Sequence, residues 1–445
     1  MKIIIAGAGS VGTHLARLLS NEAFNIVLID ESESKLSKVN ELDIMTLCVS
    51  PTSIKGLENA GVEHADLFIA VTPHESENIM CCMLAKQLGA KRTVARIDNY
   101  EYLKPEHQEL FERMGISSLI YPEMLAGQEI AESIQLSWAR QWWRFNDGEL
   151  VLVCVKMHQA GILINKTLKE LNKEHHLFHV VAIKRNGETI IPRGDDCIYV
   201  NDLVFFMTKK EDVDLVRIQT GKENYPPVKH AVIVGGGKLS VRTSWAIPNN
   251  INLKIIESDE ARCEKLCEIV KDGVMIIQGD GHDMGLLYDE GLNHVEAFIS
   301  LTDNDEENIL ACVTARKKGV RKTIAQIENS DYFDMAEDLD IGTIINKKAI
   351  TASHIYKMLL QADVDNVKML NVADADVAEF IVKEGSKVTQ NAVMELGLPK
   401  GVNFGGLVRD GKGMLVSGST VLRPGDKVVV FCLASTLKKL DKYFR

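Results

Sequence analysis

The sequence predicts an α/β chain made of two copies of one unit, each a doubly wound parallel sheet followed by a small α+β subdomain. Three observations carry that prediction. First, the chain repeats itself: "GVEHADLFIAVTPHESENIMCCMLAKQLGAKRTVARIDN" at 61–99 matches "GLNHVEAFISLTDNDEENILACVTARKKGVRKTIAQIEN" at 291–329 without a gap. Gly61, Thr72, Asn78, Cys82, Gly89 and Asn99 return as Gly291, Thr302, Asn308, Cys312, Gly319 and Asn329. Second, apolar runs alternate with helical patterns through the first part of each copy, as in a parallel sheet with helical crossovers. Third, each copy closes on a strand-rich tail with a hairpin signal, Asn186-Gly187 in one and Asp410-Gly411 in the other.

In copy one the apolar runs are 2–6, 26–30, 45–49, 67–71, 93–97 and 117–121. They are nearly continuous, as expected of strands buried on both faces. Helical patterns lie near 11–20, 33–41, 53–60, 77–88 and 101–114. In copy two the strands begin near 230, 253, 274, 297, 323 and 343. The first tail has strands at 149–157, 177–192 and 202–209 around a helix at 165–173. The entry "NDLVFF" at 201–206 returns as "GDKVVV" at 425–430.

An amphipathic helix at about 122–141, ahead of Trp142-Trp143, bridges the two parts of copy one, and its counterpart lies near 347–361. These helices read as contact surfaces that cover either their own domain or a neighbour's. Pro226-Pro227 excludes helix and strand and marks the linker between copies. The expected boundaries are 1–135 and 228–362 for the two parallel-sheet domains, and 136–221 and 363–445 for the two small subdomains.

Composition narrows the function. A 445-residue chain with 46% hydrophobic and 25% charged residues reads as an ordinary core-forming protein. Its net charge of −11 disfavours nucleic acid and anionic lipid as partners. No apolar run reaches the roughly 18 residues of a membrane span, and no signal-peptide pattern follows Met1, so the expected location is cytoplasmic. The nine cysteines form no CxxC pair and read as small buried hydrophobes. Cys263, Cys267 and His282 offer the one candidate ligand set in the sequence, and no metal is expected there.

The stretch "IIIAGAGSVG" at 3–12 carries the chemistry. A glycine loop that ends a strand and opens a helix aims backbone N–H groups, and the positive end of the helix dipole, at one spot. Gly7 permits the tight turn, Gly9 lets a pyrophosphate approach the backbone, and Gly12 lets helix and strand pack closely; Ala8, Ser10 and Val11 complete the loop. Asp30 closes "NIVLID", where an acid should meet the ribose hydroxyls and repel a 2′-phosphate. A Rossmann-like site for NAD(H), with ATP or ADP as alternatives, follows. Thr72 and Pro73 end the fourth strand, Arg96 ends the fifth and offers a phosphate fork, and Lys35 is placed to reach a ribose or adenine edge.

Copy two keeps part of this set. Gly235, Gly236 and Gly237 preserve the loop, Lys238 and Leu239 follow it, and Ser240 replaces the third glycine. Glu257 takes the place of Asp30, Asp280 lies near the expected ribose, Thr302 repeats Thr72, and Gln326 replaces Arg96. A second site that is weaker, differently selective or empty is expected.

These loops, with "ADLFIAVTPHESENI", "VARI", their repeats, and the tails "GDDCIYVNDLVFF" and "RPGDKVVVF", resemble the TrkA family of tandem RCK (regulator of potassium conductance) chains over essentially the whole length. The resemblance implies parallel-sheet RCK-N domains and small TrkA-C subdomains. It implies a homo-oligomeric ring, tetrameric for tandem chains. The ring docks on the cytoplasmic face of a TrkH-like potassium-translocating membrane subunit, and NAD(H) or ATP/ADP shifts ring and gate. It also implies nucleotide contacts from Gly7 through Val11, Asp30, Thr72 and Arg96. Cys48-Val49-Ser50-Pro51 departs from the family pattern after the third strand and puts the ribose contact there in doubt.

Two other readings compete. An oxidoreductase needs a proton donor near the nicotinamide. Tyr100 and Lys104 form a YxxxK, but it follows the fifth strand, and Gln87 stands where a serine belongs. The expectation is therefore a non-enzyme. A sensor of another ion or small ligand stays open through the small subdomains, where Asp195-Asp196 is an acidic pair and His175-His176 are adjacent.

Overall fold

The structure is a computed structural model. It describes the chain apart from residues 21–23, 175–176, 360–363, 371–374, 434–439, 441–442 and 445. The first copy forms β1 (Lys2–Ala6), α1 (Ser10–Ser20), β2 (Asn25–Asp30), α2 (Glu33–Leu36), β3 (Met45–Cys48), α3 (Ile54–Asn59), β4 (Leu67–Ala70), α4 (Glu75–Gln87), β5 (Arg92–Arg96), α5 (Pro105–Arg113), β6 (Ser118–Ile120) and α6 (Pro122–Ser133). Its tail forms β7 (Gln141–Phe145), β8 (Leu150–Lys156), α7 (Leu168–Glu174), β9 (Phe178–Arg185), β10 (Glu188–Ile190), β11 (Leu203–Lys209) and α8 (Val213–Gln219). The second copy forms β12 (His230–Val234), α9 (Lys238–Ala246), β13 (Asn252–Glu257), α10 (Glu260–Ile269), β14 (Met275–Gln278), α11 (Met284–Asp289), β15 (Ala297–Ser300), α12 (Asp305–Lys317), β16 (Lys322–Gln326), α13 (Phe333–Asp338), β17 (Thr343–Ile345) and α14 (Lys347–Leu359). Its tail forms β18 (Val364–Leu370), β19 (Ala375–Ile381), β20 (Val402–Arg409), β21 (Lys412–Leu415) and β22 (Lys427–Leu433).

The chain divides into two units. The first holds residues Met1–Leu125 and Lys347–Leu359. Its six-stranded sheet runs β3-β2-β1-β4-β5-β6, parallel throughout. The strand order reverses between β1 and β4, the switch point at which open α/β sheets leave a crevice. Ile4, Val27, Phe68 and Ala95 bury the sheet against Leu57, Cys82 and Phe111 of the helices. Ser53 caps α3 by accepting the Gly56 N–H.

Helix α14 belongs in sequence to copy two, yet it packs on α1 of copy one. Lys347 Nζ lies 3.7 Å from Glu123 Oε1, and Arg92 Nη1 donates to the Met358 carbonyl at 2.7 Å. In the second unit the converse holds. A Cβ on Gly127 of α6 would stand 2.9 Å from the Thr243 nitrogen of α9. Glycine is what lets this pair of helices approach so closely. Each bridging helix therefore covers the other copy's parallel domain.

The second unit holds Ala126–Asn346 and Leu360–Arg445. Its six-stranded sheet, β14-β13-β12-β15-β16-β17, repeats the first order. Two five-stranded sheets follow, β10-β9-β11-β8-β7 and β18-β19-β22-β20-β21, antiparallel in every pair. They share one core. Trp143, Leu152 and Phe205 of the first pack with Val377, Val429 and Phe431 of the second. The Phe205 and Phe431 rings sit 5.7 Å apart.

Several local expectations shift. The helix expected over 122–141 stops at Ser133, and Trp142 and Trp143 lie on β7. Pairing with β8, Trp142 opposite Val153, offers the aromatics a pleated surface. The helix expected over 101–114 breaks before Pro105, which opens α5. Cys81, Cys82, Cys154, Cys263, Cys312 and Cys432 are buried as expected, but Cys48 and Cys267 are exposed. Cys48 ends the edge strand β3, and Cys267 lies on α10. The pair His175-His176 lies outside the described residues. Among the described residues no helix is long and apolar enough to cross a membrane.

Candidate functional site

The loop between β1 and α1 is shaped by contacts a side chain would break. Gly7 has φ +108°, and a Cβ there would stand 2.9 Å from the Thr72 nitrogen. A Cβ on Gly12 would meet the Gly7 carbonyl oxygen at 1.8 Å. Both glycines are thus required by backbone. Gly9 differs: a Cβ there would meet nothing within 4 Å. It faces the open side of the loop at the start of the 11-residue α1, where a phosphate would be drawn to N–H groups and the dipole. A Cβ would intrude on this open space.

Asp30 ties this loop to the end of β2. Its Oδ2 accepts the Ala8 N–H at 2.7 Å, and its Oδ1 accepts the Ser32 N–H at 2.9 Å. Lys35 Nζ stands 3.5 Å from Asp30 Oδ1, so this lysine pairs with the acid itself. Asp30 is 7% exposed. A carboxylate has about four lone-pair positions, so hydroxyl donors can still be accepted.

Copy two reproduces the latch. Glu257 Oε2 accepts the Gly236 N–H at 2.7 Å, and its Oε1 accepts the Asp259 N–H at 2.9 Å. Burial pushes the Glu257 carboxyl up. The N–H groups of Asp259 and Gly236, with Arg262 beside it, outweigh that and hold it below the ordinary range. Ser240 is accommodated because its hydroxyl donates to the Gly235 carbonyl at 2.5 Å. Gly237, like Gly9, borders open space. Lys238 is exposed at the start of α9, and Leu239 is buried beneath it.

The ends of β4 and β5 form the far wall. Asn78, fully buried on α4, accepts the Thr72 N–H at 2.8 Å and donates to the carbonyls of Thr72 and Arg96 at 3.0 and 2.9 Å. Thr72 Oγ1 donates to Glu77 Oε2 at 3.0 Å, and Pro73 is exposed. Asn308 makes the same staple, to Thr302 at 3.0 and 2.9 Å and to the Gln326 carbonyl at 2.9 Å. Arg96 lies 3.6 Å from Asp98, and its buried Nε has no hydrogen-bond partner. Asp280 is exposed after β14 and accepts the His282 N–H at 2.8 Å.

The structure thus gathers Gly7 through Gly12, Asp30, Lys35, Thr72 and Arg96 at the carboxyl edge of one sheet. It gathers Gly235 through Leu239, Glu257, Asp280 and Thr302 at that of the other. Asn78 and Asn308 were legible only as unchanged positions of the repeat; their role as staples was missed. Tyr100 is 47% exposed in the turn before α5, and Lys104 is exposed at its cap.

Fold and site together define a tandem RCK chain: two Rossmann-type domains with glycine loops at their switch points, each followed by a small antiparallel sheet. Family models agree: the TrkA-N domain matches residues 3–122 and 231–347, and the TrkA-C domain matches 155–219 and 377–445. The chain belongs to the TrkA family. It is 32% identical to the Trk system potassium uptake protein TrkA of Haemophilus influenzae, covering 100% of this chain and 99% of that one. It is 30% identical to the Trk system potassium uptake protein TrkA homolog of Archaeoglobus fulgidus, with 100% of both covered. Among solved structures the fold is similar to the GsuK channel bound to NAD, with TM-score 0.61 and 15% identity over 100% of this chain and 78% of that one. The GsuK structure bound to ADP gives TM-score 0.50 and 13% identity over 81% and 69%.

Proposed function

We propose that this chain is a regulatory subunit of a potassium uptake system, and that it responds to a nucleotide bound at the loop Gly7–Gly12. The observation that carries the site is the Asp30 latch on Ala8 at 2.7 Å beside the open cradle at Gly9. Family membership supports the transport role, since full-length relatives are named Trk potassium uptake proteins. The ligand is NAD(H), with ATP or ADP as the alternative class. The neighbour GsuK is solved with NAD and with ADP, and an acid at the ribose position repels a 2′-phosphate.

Loop N–H groups and the α1 dipole hold the phosphates, Asp30 accepts the ribose hydroxyls, and Thr72 and Arg96 line the opposite wall. Arg96 is the charge-sensitive element: its partly unmet guanidinium distinguishes ligands that differ in negative charge. Regulation follows if two states of the assembly bind the nucleotide unequally. The working assembly is a ring, tetrameric for this tandem chain, docked on the inner face of a TrkH-like membrane subunit. The domains act as 1–135, 136–221, 228–362 and 363–445, and Glu257, Asp280 and Thr302 form a second, weaker site.

A thermal-shift series on the full chain with NAD⁺, NADH, NADPH, ATP and ADP tests this, with NADH absorbance followed in parallel. Ligand at a hundred times its dissociation constant stabilises the native state by about 2.7 kcal/mol. A rise with NAD(H) or adenine nucleotides, a smaller one with NADPH and steady NADH fit the proposal. No rise with any of them sinks it, and NADH consumption would point to an oxidoreductase.

A further inference from the structure

A charged cluster lies in the second unit, away from that unit's own glycine loop. Lys322 and Thr343 stand at the amino ends of β16 and β17, the sheet edge opposite the loop that follows β12. Three segments meet there around one small cavity. The first small subdomain supplies Arg140 and Lys156, the linker supplies Lys222 and Tyr225, and the second parallel domain supplies Arg316, Arg321 and Lys322.

The charges do not balance. One carboxylate, Asp340, lines this space. It is already shared, for Arg140 pairs with its Oδ1 and Arg316 stands 2.6 Å from its Oδ2. Lys322, 2% exposed, donates to neutral oxygens, the Ala139 carbonyl at 2.7 Å and the Thr343 hydroxyl at 3.1 Å. Lys222, 3% exposed, has the Tyr225 hydroxyl at 3.4 Å and the Tyr225 ring at 4.9 Å. The Arg321 guanidinium lies over the same ring, 5.4 Å from its centre.

Like charges gathered out of water repel one another and resist ionisation. Burial, then Arg140, Arg316 and Arg321, push the Lys222 ammonium down to about 7. Burial and Arg316 push Arg140 down to about 10. Burial, then Lys222, Arg140 and Arg316, push the His158 imidazole down to about 4. An anion bound there would offset the like-charge part of all three effects.

We propose that this seam binds a small oxyanion of the phosphate class, held by Lys222, Arg316 and Arg321, which ties the first small subdomain and the linker to the second parallel domain. Guanidinium forks match tetrahedral oxyanions. The cavity is small, about 20 Å³ on a scale where a water needs roughly 10–15 Å³, so the oxyanion sits at its mouth beside the exposed Arg321 and a nucleoside stays outside. The group is therefore either free inorganic phosphate or the terminal phosphate of a nucleotide.

The test uses the full chain prepared without phosphate or sulfate, at constant ionic strength. Radiolabelled inorganic phosphate is bound at equilibrium, and melting is followed against added phosphate. We expect saturable binding and a rise in Tm in the wild type and in the double variant Asp30→Ala/Glu257→Ala, which weakens both glycine-loop sites. Lys222→Met should lose binding and melt higher than wild type without phosphate, because a repelling charge is gone. Arg321→Gln, at an exposed position, should keep the fold and lose at least tenfold in affinity. Competition by ATP in that double variant would assign the oxyanion to a nucleotide tail, and its absence would assign it to free phosphate. Equal binding in wild type and both seam variants, or no binding by wild type at tens of millimolar, would overturn the proposal.

Discussion

The carboxylate of Asp30, at the end of β2, accepts the backbone N–H of Ala8 at 2.7 Å. With the Gly7 N–H donating to the Ile29 carbonyl at 2.8 Å, this holds the loop after β1 against the end of β2. Glu257 and Gly236 repeat this at 2.7 Å with a longer side chain, so the latch survives a change of acid.

Asp30→Ala should weaken nucleotide binding and loosen the loop together. A hydrogen bond to a charged group contributes about 1.5–3 kcal/mol, which is roughly 10–100-fold in affinity. Isothermal titration with NADH measures this. Unchanged affinity in Asp30→Ala and in Arg96→Ala would remove the site from this loop.

Gly12 and Gly9 should part company. Alanine at Gly12 drives its Cβ into the Gly7 carbonyl and should cost about 1–3 kcal/mol in urea unfolding. Alanine at Gly9 enters open space, so stability should hold while nucleotide affinity falls. A Gly9→Ala variant that binds normally would mean the cradle is not where phosphates lie.

Asn78→Ala should be among the more damaging polar truncations. It leaves the Thr72 N–H and the Arg96 carbonyl without their buried partner, a loss of at least about 2 kcal/mol. Denaturant unfolding reads it, and Asn308→Ala should behave alike in its own copy.

Glu257 gives the acid limb of stability a testable slope. Its folded carboxyl lies below its ordinary value, so the unfolded chain binds more protons between the two values. Stability from this group is present above about pH 4.3 and is lost as pH falls through the folded value. Glu257→Gln should flatten that decline, and a melting series below pH 5 would show the same slope in both proteins if the latch contributes nothing.

Phe431→Ala should destabilise the second unit by about 3–5 kcal/mol, since the ring is 1% exposed in the core shared by the two small sheets. A small effect would mean that each small sheet is stable without its partner.

Much of this chain was legible from residue patterns. Duplication, the parallel sheets, the glycine loops and the acids that end β2 and β13 all follow from local chemistry: near-continuous apolar strands, glycines where Cβ clashes with backbone, and acids at strand ends. Periodicity misses β7: it carries the amphipathic run to about 141 and assigns no strand to Trp142-Trp143, whereas pairing with β8 makes residues 141–145 a strand.

Contacts between segments far apart in sequence had no such signal. An amphipathic face says that α6 and α14 must be covered, but not by which copy; close packing at Gly127 against α9 and of α14 on α1 made that choice. Asn78 reads as an ordinary helix residue until β4 and β5 bring two unmet carbonyls to it. Lys222, Arg316 and Arg321 are scattered surface-type residues in the sequence, and they become one under-neutralised cluster when folding removes the water between them. Local pattern sets which elements form; desolvation and packing of distant side chains set where charge is left unmet.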